Sequence, residues 1–160
     1  MATELEDLYR QILLEHYRSP RRRGHLEGTT HRADGANPLC GDEIAVELQV
    51  EDGTIADVAF SGQGCSISQA SASLMADYVL GKPIDDALGT VETFQQMMLS
   101  GEAPPDGTLG DIEALAGVAK FPMRVKCASL GWKTLEQALH DGSDGANTAV
   151  TTDERNAPHD

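Results

Sequence analysis

Residues 43–60, EIAVELQVEDGTIADVAF, hold two runs of alternating apolar and polar residues on either side of an Asp-Gly pair. In the first run every second side chain is large and apolar, which predicts a strand with one buried face and one wet face. Asp52-Gly53 is typical of a tight hairpin turn, because both residues tolerate the left-handed backbone that such turns require. The apolar residues that continue the pattern in the returning strand are Ile55, Val58 and Phe60. The stretch therefore predicts an antiparallel hairpin.

Helical periodicity of apolar residues appears on both sides of this hairpin. One amphipathic helix precedes it and ends before Pro20, since proline restricts the residue ahead of it. A second helix begins at Ser66, where Gln69 would complete a capping box with the serine. The later helical stretches are 84–99, interrupted near Gly89-Thr90, then 110–119 and 122–140. Strands enclosed between helices in this order predict an α+β fold.

Two further segments have no regular pattern. Residues 24–42 are rich in glycine, histidine, aspartate and asparagine, and we expect them to form turns. Residues 142–160 lack apolar periodicity, and we expect a disordered acidic tail there. We expect the remaining chain, 1–141, to form one domain. A protein of 160 residues is long enough for a single ordinary core.

Composition and charge exclude several classes of function. The chain has 12 Lys plus Arg against 26 Asp plus Glu, a net charge of −14. Nucleic acids and anionic membranes are bound mainly through cations, so neither is an expected partner. No apolar run approaches the length of a membrane-spanning helix, and the N-terminus lacks the layout of a signal peptide, so we expect a cytoplasmic protein. A basic cluster stands apart, as either a solvated helix end or a docking patch for an acidic partner; its members are Arg18, Arg21, Arg22 and Arg23.

Three cysteines, Cys40, Cys65 and Cys127, are an odd number spread widely along the chain, which argues against a disulfide framework. Asp42 follows Cys40 by two residues and supplies a fourth candidate metal ligand. Three thiolates and one carboxylate match the number and type of ligands in a tetrahedral zinc site. The four residues are therefore a candidate metal site.

The residues alone leave two other interpretations of the cysteines open. In the first, all three cysteines are buried and pack as small apolar groups. In the second, one cysteine is a nucleophile with a lowered pKa. Arg124 and Lys126 precede Cys127, and their charges would support a thiolate or offset an anionic metal site. The histidines add little, since even His31, which precedes the Cys40 loop, is expected to be solvated.

Three separated motifs occur in a fixed order: ADGANPLCGD at 33–42, GQGCSIS at 62–68 and KFPMRVKCA at 120–128. Together they resemble the SufU proteins, which belong to the iron–sulfur cluster scaffold proteins related to IscU and to the N-terminal domain of NifU. The resemblance spans roughly residues 4–141. It implies a small, mainly antiparallel sheet with helices packed on one face and three cysteines gathered at one end.

The resemblance also implies a function, that of a zinc-dependent sulfurtransferase in iron–sulfur cluster assembly by the SUF system. By motif position, zinc is held by Cys40, Asp42, Cys65 and Cys127. Cys40 accepts persulfide sulfur from the pyridoxal-phosphate cysteine desulfurase SufS, and other SUF assembly proteins are further candidate partners.

Two departures from the IscU pattern favour the SufU branch. Lys126 stands where IscU-type proteins carry a histidine, and FPMRV at 121–125 replaces their Leu-Pro-Pro-Val-Lys segment. Two alternatives remain beside the sulfurtransferase. One is a scaffold that assembles and transfers a 2Fe–2S cluster, which would put iron rather than zinc at the site. The other is a structural zinc module that only binds partners.

Overall fold

A computed structural model of the chain describes residues 4–38, 41–104, 107–141 and 148–151. The helices are α1 (Glu4–Arg18), α2 (Ser66–Val79), α3 (Ile84–Ser100) and α4 (Pro122–Asp141), with a 3-10 helix (Gly110–Lys120) before α4. The strands are β1 (His31–Asn37), β2 (Asp42–Glu51), β3 (Thr54–Gln63) and β4 (Thr148–Thr151). The spatial order in the sheet is β3-β2-β1-β4.

The predicted hairpin forms strands β2 and β3. They pair antiparallel, with Val46 opposite Phe60 and Leu48 opposite Val58. Asp52 and Gly53 connect them with φ angles of +52° and +76°, the left-handed conformation that the Asp-Gly pair predicts. The apolar alternation of the sequence therefore sets the register, because a shift of one residue would expose the whole buried face.

Strand β1 lies within residues 24–42, so the prediction of turns for that whole segment was wrong. Its inward positions carry a histidine, an alanine, a glycine and an asparagine, which give no apolar alternation to detect. The strand instead forms by antiparallel pairing with β2 and by close contact with α4. At Gly35 a Cβ would lie 2.1 Å from Thr134 Oγ1 of that helix, so only glycine permits this approach.

The helices cover one face of the sheet, which confirms the α+β arrangement implied by the resemblance. Helix α4 contacts β1 and β2, while α2 contacts β3 and α4. The fully buried ring of Trp132 on α4 stacks on Phe94 of α3 with 4.5 Å between the centroids. Its Nε1 donates a 3.0 Å hydrogen bond to Ser71 Oγ of α2, so one side chain ties three helices together.

The chain before β1 crosses the opposite face of the sheet and buries Glu47. The Leu26 N–H donates to Glu47 Oε1 at 2.8 Å, and Arg32 Nη1 donates to Oε2 at 2.5 Å. Burial acts to raise the pKa of Glu47, but the bond from Leu26 and the neighbouring His25 and Arg32 outweigh it and lower that pKa. The buried carboxylate thus anchors this segment to the sheet.

Two local predictions about helices were wrong. The N-cap of α2 is Cys65, which makes no side-chain capping bond, and the Gln69 amide oxygen accepts a hydrogen bond from Arg23 rather than completing a capping box. Helix α3 runs without interruption through its predicted break. There the Thr90 hydroxyl donates to the Asp86 carbonyl at 2.9 Å, a bond that a helical threonine makes within its own helix.

The predicted tail, 142–160, lies outside the described residues except for β4. That strand pairs in parallel with Ala33–Ala36 at the edge of the sheet, a feature that the composition of the segment did not indicate. Among the described residues, none of the helices combines the length and the apolar character needed to cross a lipid bilayer.

Candidate metal centre

Three of the four candidate ligands meet at one end of the sheet. Asp42 begins β2, Cys65 caps α2 just after β3, and Cys127 lies in the second turn of α4. The antiparallel pairing of Glu43 with Gln63 brings the first two elements together, and the packing of α4 on β1 and β2 adds the third. One ligand atom from each side chain lies within 4.8 Å of the other two.

The Asp42 carboxylate is oriented by Cys65. Its Oδ1 accepts a 2.8 Å hydrogen bond from the backbone N–H of Cys65, and its Oδ2 lies 3.8 Å from the Cys65 sulfur. Asp42 is only 1% exposed, so the side chain has little freedom to turn toward solvent. The bond to Oδ1 leaves Oδ2 as the oxygen that faces the sulfur.

Because Gly64 has no side chain, the Asp42 carboxylate can occupy the space beside it. A Cβ on Gly64 would lie 2.5 Å from Asp42 Oδ1, closer than real Cβ contacts come. The requirement is steric, since the nearest atoms belong to a carboxylate that is already held by Cys65. Sequence reasoning did not single out this residue, although its position directly before a candidate ligand was a signal.

Cys127 is 3% exposed and is contacted by the last residue of β1. Asn37 Nδ2 donates toward Cys127 Sγ at 3.9 Å, and the sulfur lies 3.5 Å from the Met123 carbonyl oxygen. Asn37 is fully buried, and its sequence position before a proline indicated only a turn. Its contact with the site was therefore not predicted.

Cys40 lies outside the described residues, so its place in the ligand set stays a prediction. The chain on either side of it is anchored beside Asp42. Asn37 is the register partner of Asp42, and the Gly41 N–H donates to the Asn37 carbonyl at 2.9 Å. Gly41 has a φ of +73°, a conformation that glycine adopts without steric cost.

The two predicted supporting cations lie on the first turns of α4. Arg124 is exposed and lines an apolar cleft of about 710 Å³ together with Tyr9 and Phe121. Lys126 is half-buried beside Cys127. The support of these cations for the anionic site stays a prediction.

His31 is buried at the start of β1, so the expectation of a solvated histidine was wrong. Burial lowers the pKa of His31, because it disfavours the charged imidazolium. The rest of β1 separates it from Asn37, about 20 Å at the rise of an extended strand. Within the described part of the chain, no histidine joins the cluster of Asp42, Cys65 and Cys127.

The cluster fits a tetrahedral metal ion. Zinc–sulfur bonds of about 2.3 Å place tetrahedral ligand atoms roughly 3.8 Å apart, so atoms within 4.8 Å of one another need only a small contraction. Thiolates and a carboxylate are suitable ligands for zinc, and thiolates also hold iron–sulfur clusters. The donor set therefore fits either group and does not by itself select one.

The cluster sits inside a known type of domain. The sequence model of one protein family, the NifU-like N-terminal domain, matches residues 8–128, which contain Cys40, Asp42, Cys65 and Cys127. The chain belongs to the NifU-like N-terminal domain family. This is a family of iron–sulfur cluster assembly proteins, as the three motifs indicated.

Curated relatives of this NifU-like domain carry two kinds of name. The chain is 45% identical over 135 residues to the zinc-dependent sulfurtransferase SufU of Bacillus subtilis, and the match covers 84% of this chain and 91% of that protein. It is 40% identical over 137 residues to the iron–sulfur cluster assembly scaffold protein IscU of Streptococcus pyogenes serotype M1, covering 86% of each. The resemblance to the SufU and IscU proteins is thus confirmed.

Solved structures share the fold. FiSufU, a SUF-system protein of Fervidobacterium islandicum AW-1, superposes with a TM-score of 0.75 at 35% identity, covering 81% of this chain and 94% of that one. A NifU-like protein of Brucella abortus gives a TM-score of 0.77 at 26% identity, covering 90% of this chain and all of that one. The NifU-like domain therefore has the expected α+β architecture.

Proposed function

We propose that this NifU-like domain is a zinc-dependent sulfurtransferase that accepts persulfide sulfur on Cys40 from a cysteine desulfurase of the SufS type. The observation that supports this most directly is the meeting of Asp42, Cys65 and Cys127 ligand atoms within 4.8 Å. The 45% identity to a SufU named as a zinc-dependent sulfurtransferase favours zinc as the metal. In this proposal Cys40 completes the ligand set.

Zinc, when bound, would hold the cysteine sulfurs as thiolates at neutral pH and thereby limit their oxidation. The chain itself keeps the ligands in place. Asp42 accepts a hydrogen bond from the Cys65 N–H, and the side-chain amide of Asn37 donates toward the Cys127 sulfur. These contacts orient the ligands much as outer-shell partners do in other metal sites.

Cys40 is the residue suited to move. It lies on a connection between two strands, next to Gly41 with its left-handed backbone, whereas Cys65 and Cys127 are carried by helix ends. A glycine beside a reactive residue lets the backbone change conformation at little cost. In this proposal Cys40 reaches a partner's persulfide while Cys65 and Cys127 stay on their helices and Asp42 stays on β2.

The transfer step needs no external oxidant or reductant. The Cys40 thiolate attacks the terminal sulfur of the desulfurase cysteine persulfide. A new S–S bond forms on Cys40 as the S–S bond on the desulfurase breaks, and the desulfurase cysteine leaves as a thiolate. One sulfur atom has then moved from one cysteine to the other, with the number of S–S bonds unchanged.

The test is SufS turnover, measured as alanine release from cysteine, with and without this protein. We expect strong stimulation by the zinc-loaded wild type and none by Cys40→Ser, which should retain the fold. A Cys40→Ser protein that stimulates SufS fully would refute the assignment of the acceptor. Elemental analysis of freshly purified protein supplies the metal content of each sample.

The second candidate is a scaffold for a 2Fe–2S cluster, which the 40% identity to a scaffold protein IscU favours. It predicts efficient transfer of a reconstituted cluster to an apo-ferredoxin, together with little stimulation of SufS. Stimulation without cluster transfer supports the sulfurtransferase. Failure in both assays, with zinc still bound, would instead indicate a structural zinc module.

A further inference from the structure

We propose that a cleft beside Cys65 binds an acidic side chain of the desulfurase, and thereby orients that partner over the metal centre. The proposal rests on the proposed function, because it names the surface through which the same partner docks. The cleft has a volume of about 490 Å³ and lies between the end of α1 and the chain that leads into α2. Its lining includes Tyr17, Arg18, Arg23, Gln63, Gly64 and Gln69.

The structure divides the basic cluster of the sequence into paired and unpaired cations. Arg21 pairs with Glu15 at 3.2 Å and with Asp77 at 3.4 Å, while Arg22 lies 4.0 Å from an oxygen of Asp57. Across the described residues, neither Arg18 nor Arg23 has a carboxylate oxygen within 4.0 Å of its guanidinium. Both of these unpaired cations line the cleft, whereas Arg21 and Arg22 do not.

Arg23 is held in place by uncharged groups. Its Nη2 donates to the Gly62 carbonyl at 2.7 Å, its Nη1 donates to Gln69 Oε1, and its Cζ lies 5.9 Å from the centroid of the Phe60 ring. These contacts fix the guanidinium without neutralising it. A fixed, uncompensated cation attracts an anion without an additional loss of side-chain freedom on binding.

Gln69 lines the same cleft and helps to hold Arg23. The residue is 5% exposed, and its oxygen is used by Arg23. Its Nε2 is buried and has no hydrogen-bond partner among the described residues. Because that nitrogen has no exposed surface, the guanidinium groups of Arg18 and Arg23 are the donors that a carboxylate in the cleft would meet.

The position of the cleft favours a protein as the source of that carboxylate. Its wall contains Gln63 and Gly64, the two residues before Cys65, so a protein docked at the metal centre would lie beside it. The chain as a whole carries a charge of −14. A general acidic surface is therefore repelled, whereas one that places a carboxylate at the Arg18–Arg23 cleft gains local attraction. Such local complementarity sets the orientation of a partner and the rate of encounter.

The test compares two charge reversals with the same net charge, using the full zinc-loaded chain. Arg18→Glu alters the exposed, unpaired cation of the cleft, and Arg22→Glu alters a cation of the same cluster outside it. We expect Arg18→Glu to raise the Kd for SufS roughly tenfold and to make the binding of SufS less dependent on salt. Arg22→Glu should stay close to the wild type. Thermal unfolding and zinc content identify any variant that is misfolded, and Arg18→Gln then replaces Arg18→Glu.

The outcomes separate this inference from the proposed function. If the wild type stimulates SufS and the two reversals bind equally well, the docking site alone is refuted. If the wild type binds SufS through Arg18 without stimulating it, the sulfurtransferase assignment fails and the docking site stands. If the wild type neither binds nor stimulates SufS, both are refuted. A titration with inorganic phosphate tests whether the cleft binds small anions instead. If Arg18→Glu abolishes phosphate binding but leaves the Kd for SufS unchanged, the assignment to a protein carboxylate is overturned.

Discussion

Asp42 and Cys65 are joined by a 2.8 Å hydrogen bond from the backbone N–H of Cys65 to Asp42 Oδ1. The bond links the first residue of β2 to the N-cap of α2, two elements whose ends would otherwise be free to separate. The same carboxylate therefore serves both the fold and the proposed metal.

Removing that carboxylate should destabilise the metal-free protein. We expect Asp42→Ala to lower the free energy of unfolding by about 2 kcal/mol, since a buried N–H loses a charged acceptor. Asp42→Asn keeps an acceptor oxygen and should cost about half as much. Urea unfolding of the apo protein measures both. Glu51→Ala, at the exposed end of β2, is the control and should change little.

Gly64→Ala should displace the Asp42 carboxylate. The added Cβ would lie 2.5 Å from Oδ1, and we expect a loss of about 1–3 kcal/mol in stability together with reduced zinc content. The matched control is Gly89→Ala within α3, where a Cβ meets nothing within 4 Å. That change should stabilise the protein by about 1 kcal/mol, because alanine favours helix more than glycine does. Equal effects of the two substitutions would contradict the steric role of Gly64.

Asn37→Ala should weaken metal binding while leaving the ligands themselves intact. The amide that donates toward Cys127 Sγ would be lost, and outer-shell partners of this kind change metal affinity by about tenfold or more. Competition with a chromogenic zinc chelator measures the affinity. Thr90→Ala removes another largely buried polar group away from the site and should leave it unchanged. Unaltered zinc affinity in Asn37→Ala would show that the contact has no role in binding.

Stability should fall as the pH drops below about 6.5, partly through His16. Burial and the charge of Arg21 lower the pKa of His16 from its ordinary value of 6.5, and its Nδ1 lies 2.7 Å from Ser73 Oγ. Above pH 6.5 the folded and unfolded states are both neutral at this residue, so the full stability is present. Between 6.5 and the lower folded-state pKa only the unfolded state gains the proton, which favours unfolding by up to about 1.4 kcal/mol per pH unit.

His16→Gln should therefore flatten the acid side of the stability profile, measured by urea unfolding between pH 5 and 8 (about the range in which histidine titrates). The slope should decrease rather than vanish, because burial also lowers the pKa of His31. His140→Gln, at the exposed end of α4, is the control. An unchanged slope in His16→Gln would show that His16 does not account for the acid sensitivity.

Local patterns in the sequence predicted those elements that carry their own signal. The hairpin of β2 and β3 followed from apolar alternation around Asp52-Gly53, and α4 from helical periodicity. Strand β1 was missed because its buried positions hold small or polar residues, and only pairing with β2 makes them a strand. The capping of α2 was also missed, since the Gln69 side chain is engaged by Arg23, 46 residues away in the chain.

The sequence by itself predicted the types of the candidate ligands and their number. Three cysteines and Asp42, set in three motifs, indicated a metal site and the SufU-like family. Only the tertiary structure decided what surrounds those ligands. Gly64 and Asn37 lie directly against Asp42 and Cys127. Within the described chain, Arg18 and Arg23 line the cleft without a nearby carboxylate, whereas Arg21 and Arg22 are paired and lie outside it. Such properties depend on distances between residues remote in sequence, and packing alone sets those distances.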